Sequence, residues 1–510
     1  MAITAARDTG FMSGLSLNIF NQRDCMQKEM ARLNLLLVLG LLMLTQIGCG
    51  KVMSQPPEAN AINVPAAWSL AGSSKETGTS SLAEWWLRFN DPLLGALVTE
   101  ALQANTGIKG AQAALRQARA LRDVTAAGIL PAIDGSASAG RSKSGNNNAV
   151  NAFKAGLDAS WELDIFGANR SALNTGEATV LAGAADLGAL QVSIAAEVAL
   201  TYITLRDGQE RLAIARDNLA SQLETLEITQ WRLQAGLVTS IEVEQARTAV
   251  EQTSALLPAF QTTIKQTCHA LAVLTGQAPS ALLTMLAEVR PVPQAADALA
   301  LSLPAETLRQ RADVRAAEYQ VTAAAGRVQE AEANRLPNFK LSGSLGLNAL
   351  TLGTLTHGSS VVSAILAGVS MPVFDGGAGR AHVRSQQAAL DQAIATYQAA
   401  LLTALQEVED SLVALRGDRE RLLRLQRAAE AAANAALLAR QRYSSGLVDF
   451  QVVLETQRTQ LTTQASVAGA RADVSSDHVR LYKALGGGWL PDSGDASPTL
   501  TENSSRSSPL

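Results

Sequence analysis

WRLQAGLV (231–238) and QRYSSGLV (441–448) are the segments on which the reading of this chain turns. They lie 210 residues apart, place Arg232 over Arg442, and repeat Gly-Leu-Val letter for letter. Each closes a long stretch without proline, Arg170 to Leu233 and Arg380 to Tyr443. An unbroken helix over either stretch is about 64 residues, or ~95 Å at 1.5 Å per residue. Apolar residues recur every seventh position: Val198, Leu205, Leu212, Leu219, Leu226 and Leu233, then Val408, Leu415, Leu422, Ala429, Ala436 and Tyr443. A sustained heptad lays one seam along a neighbouring helix. Helices of this length suit a tube or a stalk better than a globular core. Glycine supplies the left-handed residue that ends a helix, so the chain is expected to turn at 235–238 and 445–448 and return as helices to Gly276 and Gly486. Two hairpins with the same tip triplet result.

The tips belong to a wider internal duplication. At an offset of 206, Ala111, Ala118, Ala127, Leu130, Pro131 and Ser136 meet Ala317, Ala324, Ala333, Leu336, Pro337 and Ser342. At an offset of 210, Ser160, Gly167, Arg170, Glu197 and Gly276 meet Ser370, Gly377, Arg380, Glu407 and Gly486. Each half reads helix, strand pair, very long helix, turn, long helix. The first helices are expected at about 93–128 and 305–334, each stopped by Leu-Pro, since proline cannot continue a helix. Alternating polar and apolar segments follow at about 132–142 and 152–164, and again at 338–348 and 361–373. Each matches the ~9–11 residues of a tilted membrane strand. Long helices then span about 170–233 and 239–275, and 380–443 and 449–485. The halves occupy about 84–290 and 291–489, after a Pro/Ser/Gly/Ala-rich linker, 49–83, and before a polar tail, 490–510, expected to be disordered.

Composition narrows the function classes. The chain has 510 residues, 47% apolar, 4% aromatic and 17% charged, with a net charge of −4. A disordered polar chain is excluded, and a nucleic-acid binder is not expected because no excess of basic charge neutralises phosphates. No GKS/T loop, GxSxG elbow or pair of catalytic carboxylates is present, so no enzyme is expected. The four histidines (269, 357, 382, 478) are scattered, and no Cys/His spacing suits a metal; neither metal nor cofactor is expected. DGGAGR (375–380) lacks the spacing of a nucleotide loop and reads as a strand-to-helix junction. Cys268 and His269 are adjacent and point to different faces of a helix.

An apolar block, Leu33 to Leu44, follows Arg23, Lys28 and Arg32 and exits at Thr45-Gln46-Ile47-Gly48-Cys49. Basic residues, a short apolar core and small residues form a secretory signal. The exit resembles a bacterial lipoprotein signal, which implies cleavage before Cys49, lipidation (palmitate) of that residue, and sorting to the outer membrane. Gln46 departs from the usual Leu. Starting at Met30 or Met26 would give the signal an ordinary length, with 1–25 an upstream extension.

WWLRFNDPLLGALVTEALQAN (85–105), SWELDIFGANR (160–170), RADVRAAE (311–318), MPVFDGGAGR (371–380) and LYKALGGGW (481–489) occur in order across about 80–490. In these segments the chain resembles the outer-membrane factors of tripartite efflux systems, the TolC/OprM family and its NodT-type lipoprotein branch. The resemblance implies an α+β membrane protein: a homotrimer whose four strands per protomer make a 12-stranded outer-membrane β-barrel, continued by a long periplasmic α-helical barrel and built from two tandem repeats. It implies a passive, gated conduit passing small molecules such as drugs and toxic compounds outward. The partners implied are two further copies, a periplasmic adaptor (membrane fusion) protein, an inner-membrane pump of the RND type, and outer-membrane lipid. Adaptor docking falls on Gly236, Leu237, Val238, Gly446, Leu447 and Val448. The periplasmic gate falls on Glu455 and Arg458, which stand at the family's acid–Arg spacing, with Gln451, Glu242, Glu244 and Arg247 nearby. The alternative is a structural coiled-coil envelope lipoprotein without channel activity, which explains the heptads but not the strand pairs.

Overall fold

The computed structural model describes residues 68, 82–145, 148–295, 308 and 311–489. The signal, Cys49 and the tail at 490–510 lie outside the described residues, as does all but Trp68 and the last two residues of the linker. A 3-10 segment, Leu82–Phe89, leads into α1 (Pro92–Ala104) and α2 (Thr106–Ala127). Strands β1 (Ala132–Ser142) and β2 (Val150–Leu163) follow, then α3 (Ala168–Gln234) and α4 (Ser240–Leu274). The order recurs as α5 (Ala312–Ala333), β3 (Asn338–Ala349), β4 (Val361–Ser370), α6 (Ala378–Ser444) and α7 (Phe450–Ala484).

The long helices α3 and α6 have 67 residues each, about 100 Å of rise. They are not held by propensity but by neighbours: α4 lies along α3, α3 along α7, and α7 along α6. α3 is long and apolar enough by composition to cross a membrane. Its apolar residues nonetheless have partners, because Ala195, Val198, Ala199, Tyr202 and Leu205 are buried in the helical core. That core closes on Trp85, which stacks on Tyr482 at 5.4 Å and meets Phe89 edge-on at 6.1 Å. It ties the start of the described chain to the end of α7. A second cluster holds Trp68 against Leu401, Val408 and Leu481.

A buried cation sits beside the first cluster. Arg206 on α3 is fully buried and donates to Gln209 Oε1 at 2.6 Å, Glu288 O at 2.7 Å and Tyr202 OH at 3.0 Å. Tyr202 in turn donates to Asp91 Oδ2 at 2.7 Å. Burial, reinforced by the Asp91 hydrogen bond, pushes the Tyr202 hydroxyl up to about 12, against the pull of Arg206. On α7, burial likewise pushes the Asp477 carboxyl up to about 6, with Arg480 opposing and Asp418 assisting.

Three expectations need correcting. The first helix, expected at 93–128, is two helices. Asn105 breaks it: its Oδ1 accepts from Gly107 N and Ile108 N, capping α2, while its Nδ2 donates to Leu274 O. An Asn offers the backbone this local alternative to a continued helix. Of its counterpart, Ala312–Ala333 is helical as expected, and 305–307 and 309–310 lie outside the described residues. The strand expected at 361–373 ends at Ser370, because β3 begins at Asn338, directly opposite, and offers nothing beyond it. The heptad seam is also not continuous on α3, although on α6 Val408, Leu415, Ala436 and Tyr443 are buried. Val198, Leu205 and Leu212 are buried, but Leu219 and Leu226 are half-buried and Leu233 is exposed. Towards the tip the buried stripe of α3 is Ala215, Asn218, Gln222, Thr225 and Thr229. A helix of 3.6 residues per turn drifts ~20° per heptad, so a seven-residue series leaves the seam unless the helix supercoils fully.

Candidate functional site

The sheet is a wall with two unlike faces. Its strands lie in the order β1-β2-β3-β4, all antiparallel, with Ala132 opposite Ser160, Ser160 opposite Ser342 and Asn338 opposite Ser370. Every register therefore matches even-numbered residues with even and odd with odd. Successive side chains in a strand point to opposite faces. One face carries Asp134, Ser136, Ser138, Lys154, Asp158, Ser160, Glu162, Lys340, Ser342 and Ser344, joined at the β4 edge by Val362 and Leu366. The other carries Ile133, Phe153, Leu157, Trp161, Phe339, Leu341, Leu345, Leu347, Ile365 and Val369. The polar face is knit together, with Ser136 Oγ donating to Asp158 Oδ2 at 3.2 Å and Asn338 Nδ2 donating to Glu162.

Neither face is packed on the rest of the chain. All of β1 and all of β4 are exposed. Such a sheet has no water-stable form by itself, because one side is a continuous apolar surface and both edges present open backbone groups. Lipid on the apolar side, water on the polar side and closure of the edges satisfy all three demands.

Far along the helices, the two tips are built alike. Leu237 N donates to Arg232 O and Gly236 N to Leu233 O, both at 2.9 Å. Leu447 N donates to Arg442 O at 2.9 Å and Gly446 N to Tyr443 O at 3.0 Å. This double bond pair closes a helix on a left-handed residue, and Gly236 and Gly446 stand there at φ +73° and +74°. Nothing lies within 4 Å of where a Cβ would be on either glycine. Leu237 and Leu447 are 74% and 73% exposed, while Val238 and Val448 are half-buried. The hairpins are stapled to each other just behind the tips. The Arg232 guanidinium lies 4.4 Å from the Tyr443 ring centre and donates to Ser444 O at 3.0 Å. Tyr443 packs on Phe450 at 5.4 Å.

The expected gate residues separate into three groups. Gln451, Glu455 and Arg458 on α7 line one groove of about 520 Å³. Gln222 on α3 and Gln245, Thr248 and Gln252 on α4 form its other walls. Glu455 and Arg458 are exposed, and among the described residues no ion pair joins them. Glu244 and Arg247 instead pair with each other at 3.0 Å on the exposed surface of α4, outside that groove. Glu242 is committed to structure: its carboxylate accepts from Thr239 N at 2.5 Å and Thr239 Oγ1 at 2.6 Å, capping α4. Those bonds, the hydroxyl's first, hold it below the usual carboxylate range. The staple of Arg232 on Tyr443 was not anticipated. Its only sequence signal is the alignment of Arg232 with Arg442, one residue before that tyrosine.

A sequence model of the family described as "Outer membrane efflux protein" matches residues 97–277 and again 303–487. The chain belongs to the outer membrane efflux protein family. Nodulation protein T of Rhizobium leguminosarum bv. viciae is 29% identical over 435 residues, covering 85% of this chain and 89% of that one. The solvent efflux pump outer membrane protein SrpC of Pseudomonas putida is 32% identical over 412 residues, covering 79% and 86%. The solved structure of the outer-membrane channel OprN superposes with a TM-score of 0.79 at 35% identity, over 84% of this chain and 99% of that one. Members of this family are outer-membrane channel proteins, not enzymes.

The two-faced sheet yields a direct test. Leu345 on the apolar face and Ser344 on the polar face are neighbours in the middle of β3. Arginine facing lipid near the bilayer midplane costs ~2–4 kcal/mol, while a lumen position tolerates it. Leu345→Arg is expected to cut the yield of membrane-assembled protein by an order of magnitude or more, and Ser344→Arg to leave it near wild type, measured by outer-membrane fractionation. Equal loss in both variants would contradict the assignment of faces.

Proposed function

We propose that this chain is the outer-membrane exit duct of a tripartite efflux system, a passive conduit through which small molecules leave the cell. The observation that carries the reading is the sheet: an apolar face, a polar face, and two unpaired edges in one protomer. Three copies give twelve strands, which close without edges and leave a lumen, since ~8 strands are already filled by side chains. The helical hairpins continue that lumen away from the membrane. The driving energy comes from an inner-membrane pump of the RND type, delivered through a periplasmic adaptor. The named relatives include a solvent efflux protein, which favours apolar or amphiphilic cargo.

The gate of this conduit is Glu455 with Arg458, assisted by Gln451. Both charges line the groove with no ion-pair partner among the described residues, and three copies around an axis would set them in rings that lock against one another. Single-channel recording of the purified protein in planar bilayers tests the conduit and the gate separately. Wild type is expected to open rarely, and Glu455→Ala/Arg458→Ala to open at least several-fold more often. A wild type that never conducts from a folded, inserted assembly would instead favour the structural lipoprotein. Unchanged opening in the double variant would discard these two residues while keeping the conduit. Glu244 and Arg247, paired outside the groove, are secondary candidates.

The tips dock the adaptor. Gly236 and Gly446 leave the backbone open, and Leu237 and Leu447 offer apolar anchors of a kind that binding partners bury. Leu237→Asp/Leu447→Asp is expected to abolish export of a dye substrate in cells while conductance in bilayers stays at the wild-type level. Retained export would refute docking at these leucines.

Cys49 carries the lipid anchor. Labelling cells with a clickable palmitate analogue is expected to mark the wild type and not Cys49→Ser; label persisting in the variant would place the anchor elsewhere or remove it.

A further inference from the structure

Asp477 lies on α7 with 1% of its side chain exposed, and only one of its carboxylate oxygens has a donor. Oδ1 accepts from Arg480 Nη1 at 2.7 Å. Oδ2 is buried and meets none. The neighbour within its hydrogen-bonding reach is a second carboxyl, Asp418 of α6, whose own Oδ1 is held by Arg421 at 3.3 Å. Two ionised carboxylates have no hydrogen to place between them, and a buried acceptor left without a donor bears its desolvation uncompensated. One proton removes both difficulties, because a protonated carboxyl donates to an ionised one.

We propose that Asp477 and Asp418 share one proton, and that this proton fastens α7 to α6 as a pH-sensitive joint, tightest in acid and loosened near neutral pH. The joint lies within one protomer and does not depend on the conduit reading.

The residues around the pair are otherwise matched. His478 follows Asp477, is 3% exposed, and meets Arg419, which follows Asp418. Its Nδ1 lies 2.8 Å from Val474 O, which can only accept, and its Nε2 lies 3.0 Å from Arg419 Nη2, which can only donate. The neutral ring with its hydrogen on Nδ1 satisfies both contacts, and a proton added at Nε2 would face the guanidinium. Arg421 also reaches Asp473 on α7 at 3.1 Å. From α3, Glu210 pairs with Arg471, and Asp207 with Arg211 at 2.8 Å. From the 3-10 segment, Arg88 lies 5.9 Å from the ring centre of Tyr482, one turn further along α7. The stretch before the second repeat brings no charge here: Ser475 donates to Pro293 O at 2.7 Å and accepts from Gln294 at 2.8 Å. α4 meets α7 nearer the tip, where Leu256 and Leu461 line one groove. None of these groups donates to Asp477 Oδ2.

The direction of the pH effect follows. Burial, with Asp418 assisting and Arg480 opposing, pushes the Asp477 carboxyl up to about 6, above the ~3.9 of an aspartate in the unfolded chain. Between those values the folded protein holds a proton that the unfolded chain has released. The contribution of the joint to stability is therefore complete below about pH 4 and is lost as pH rises through about 6. Beyond that, two like charges face each other across the helix pair. A salt-bridged carboxylate behaves in the opposite way and stabilises as pH rises.

Asparagine is the protonated acid made permanent. Asp477→Asn keeps an oxygen for Arg480 and offers an N–H to Asp418 at every pH. The test is the apparent Tm of the full-length protein in detergent, followed by helical circular dichroism at one scan rate, from about pH 4.5 to about pH 7.5. The wild type is expected to fall behind Asp477→Asn by a few degrees over that range. Asp418→Asn, which supplies the donor from the other side, is expected to flatten the curve as well. Asp473→Asn, which removes only the second partner of Arg421, is expected to keep the wild-type slope. Parallel curves for the wild type and Asp477→Asn would overturn the shared proton. Should the asparagine variants fail to assemble, infrared difference spectra of the folded wild type between about pH 5.5 and about pH 7, above the range of exposed carboxylates, decide the matter. Loss of a protonated-carboxyl C=O band equivalent to one group per chain would support the pair, and absence of that band would overturn it.

Discussion

Every backbone N–H and C=O of a sheet edge needs a partner, and inside a hydrocarbon layer water cannot provide one. The rest of this structure follows from that demand. Four strands cannot curl far enough to meet themselves, so β1 and β4 remain open in a single protomer. Their residues are exposed along their whole length, and no buried cluster among the described residues includes them. The protomer is thus the one unit in which the sheet is unfinished. Stability of the membrane wall therefore cannot come from one protomer alone.

The duplication solves the problem economically in sequence. One helix–strand–strand–helix–helix design, written twice, yields two nearly equivalent seams: one closed inside the protomer at β2–β3, the other left for assembly. Because registers pair even with even throughout, one alternation of side-chain faces runs through the sheet, polar against apolar in β1 to β3, while β4 is apolar on both sides with Val362 and Leu366. Asp134, Lys154, Asp158 and Lys340 occupy the same face for that reason, not through contacts among themselves. The family's two matched segments, 97–277 and 303–487, follow the same division.

What the sequence disclosed follows its periodicities. Period two, preceded by Leu-Pro in each half, located all four strands to within three residues. Proline-free stretches bounded by glycine located α3 and α6 to within two. The break at Asn105 was hidden because a capping Asn costs a helical pattern only one residue, and its partner, Leu274 O, lies far away in sequence. The end of β4 was illegible for a different reason: it is decided by where β3 begins, not by β4's own residues. At the candidate gate, spacing grouped Glu455 with Arg458, and the fold brings both to one groove. It could not reveal that Glu242 caps a helix while its neighbours Glu244 and Arg247 pair with each other. Those outcomes depend on side-chain geometry at the turn.

The drift of the heptad seam has a mechanical consequence. Near Trp85 and Tyr202 the long helices are held by large apolar side chains, whose burial contributes roughly 1.5–3 kcal/mol each. Towards the tips the buried stripe becomes Asn218, Gln222, Thr225 and Thr229, facing Gln457 and Gln464: Asn218 donates to Gln464 Oε1 at 2.9 Å and Gln457 to Thr225 Oγ1 at 3.0 Å. The Oε1 atoms of Gln222 and Gln457 are buried without a partner. A net protein–protein hydrogen bond is worth only ~0.5–1.5 kcal/mol, because water replaces it on exposure, and a buried orphan acceptor gains by being wetted. Separating the helices therefore costs least along this polar stretch, between the mid-length cluster around Tyr202 and the tip cluster of Ala439, Tyr443, Phe450 and Val453.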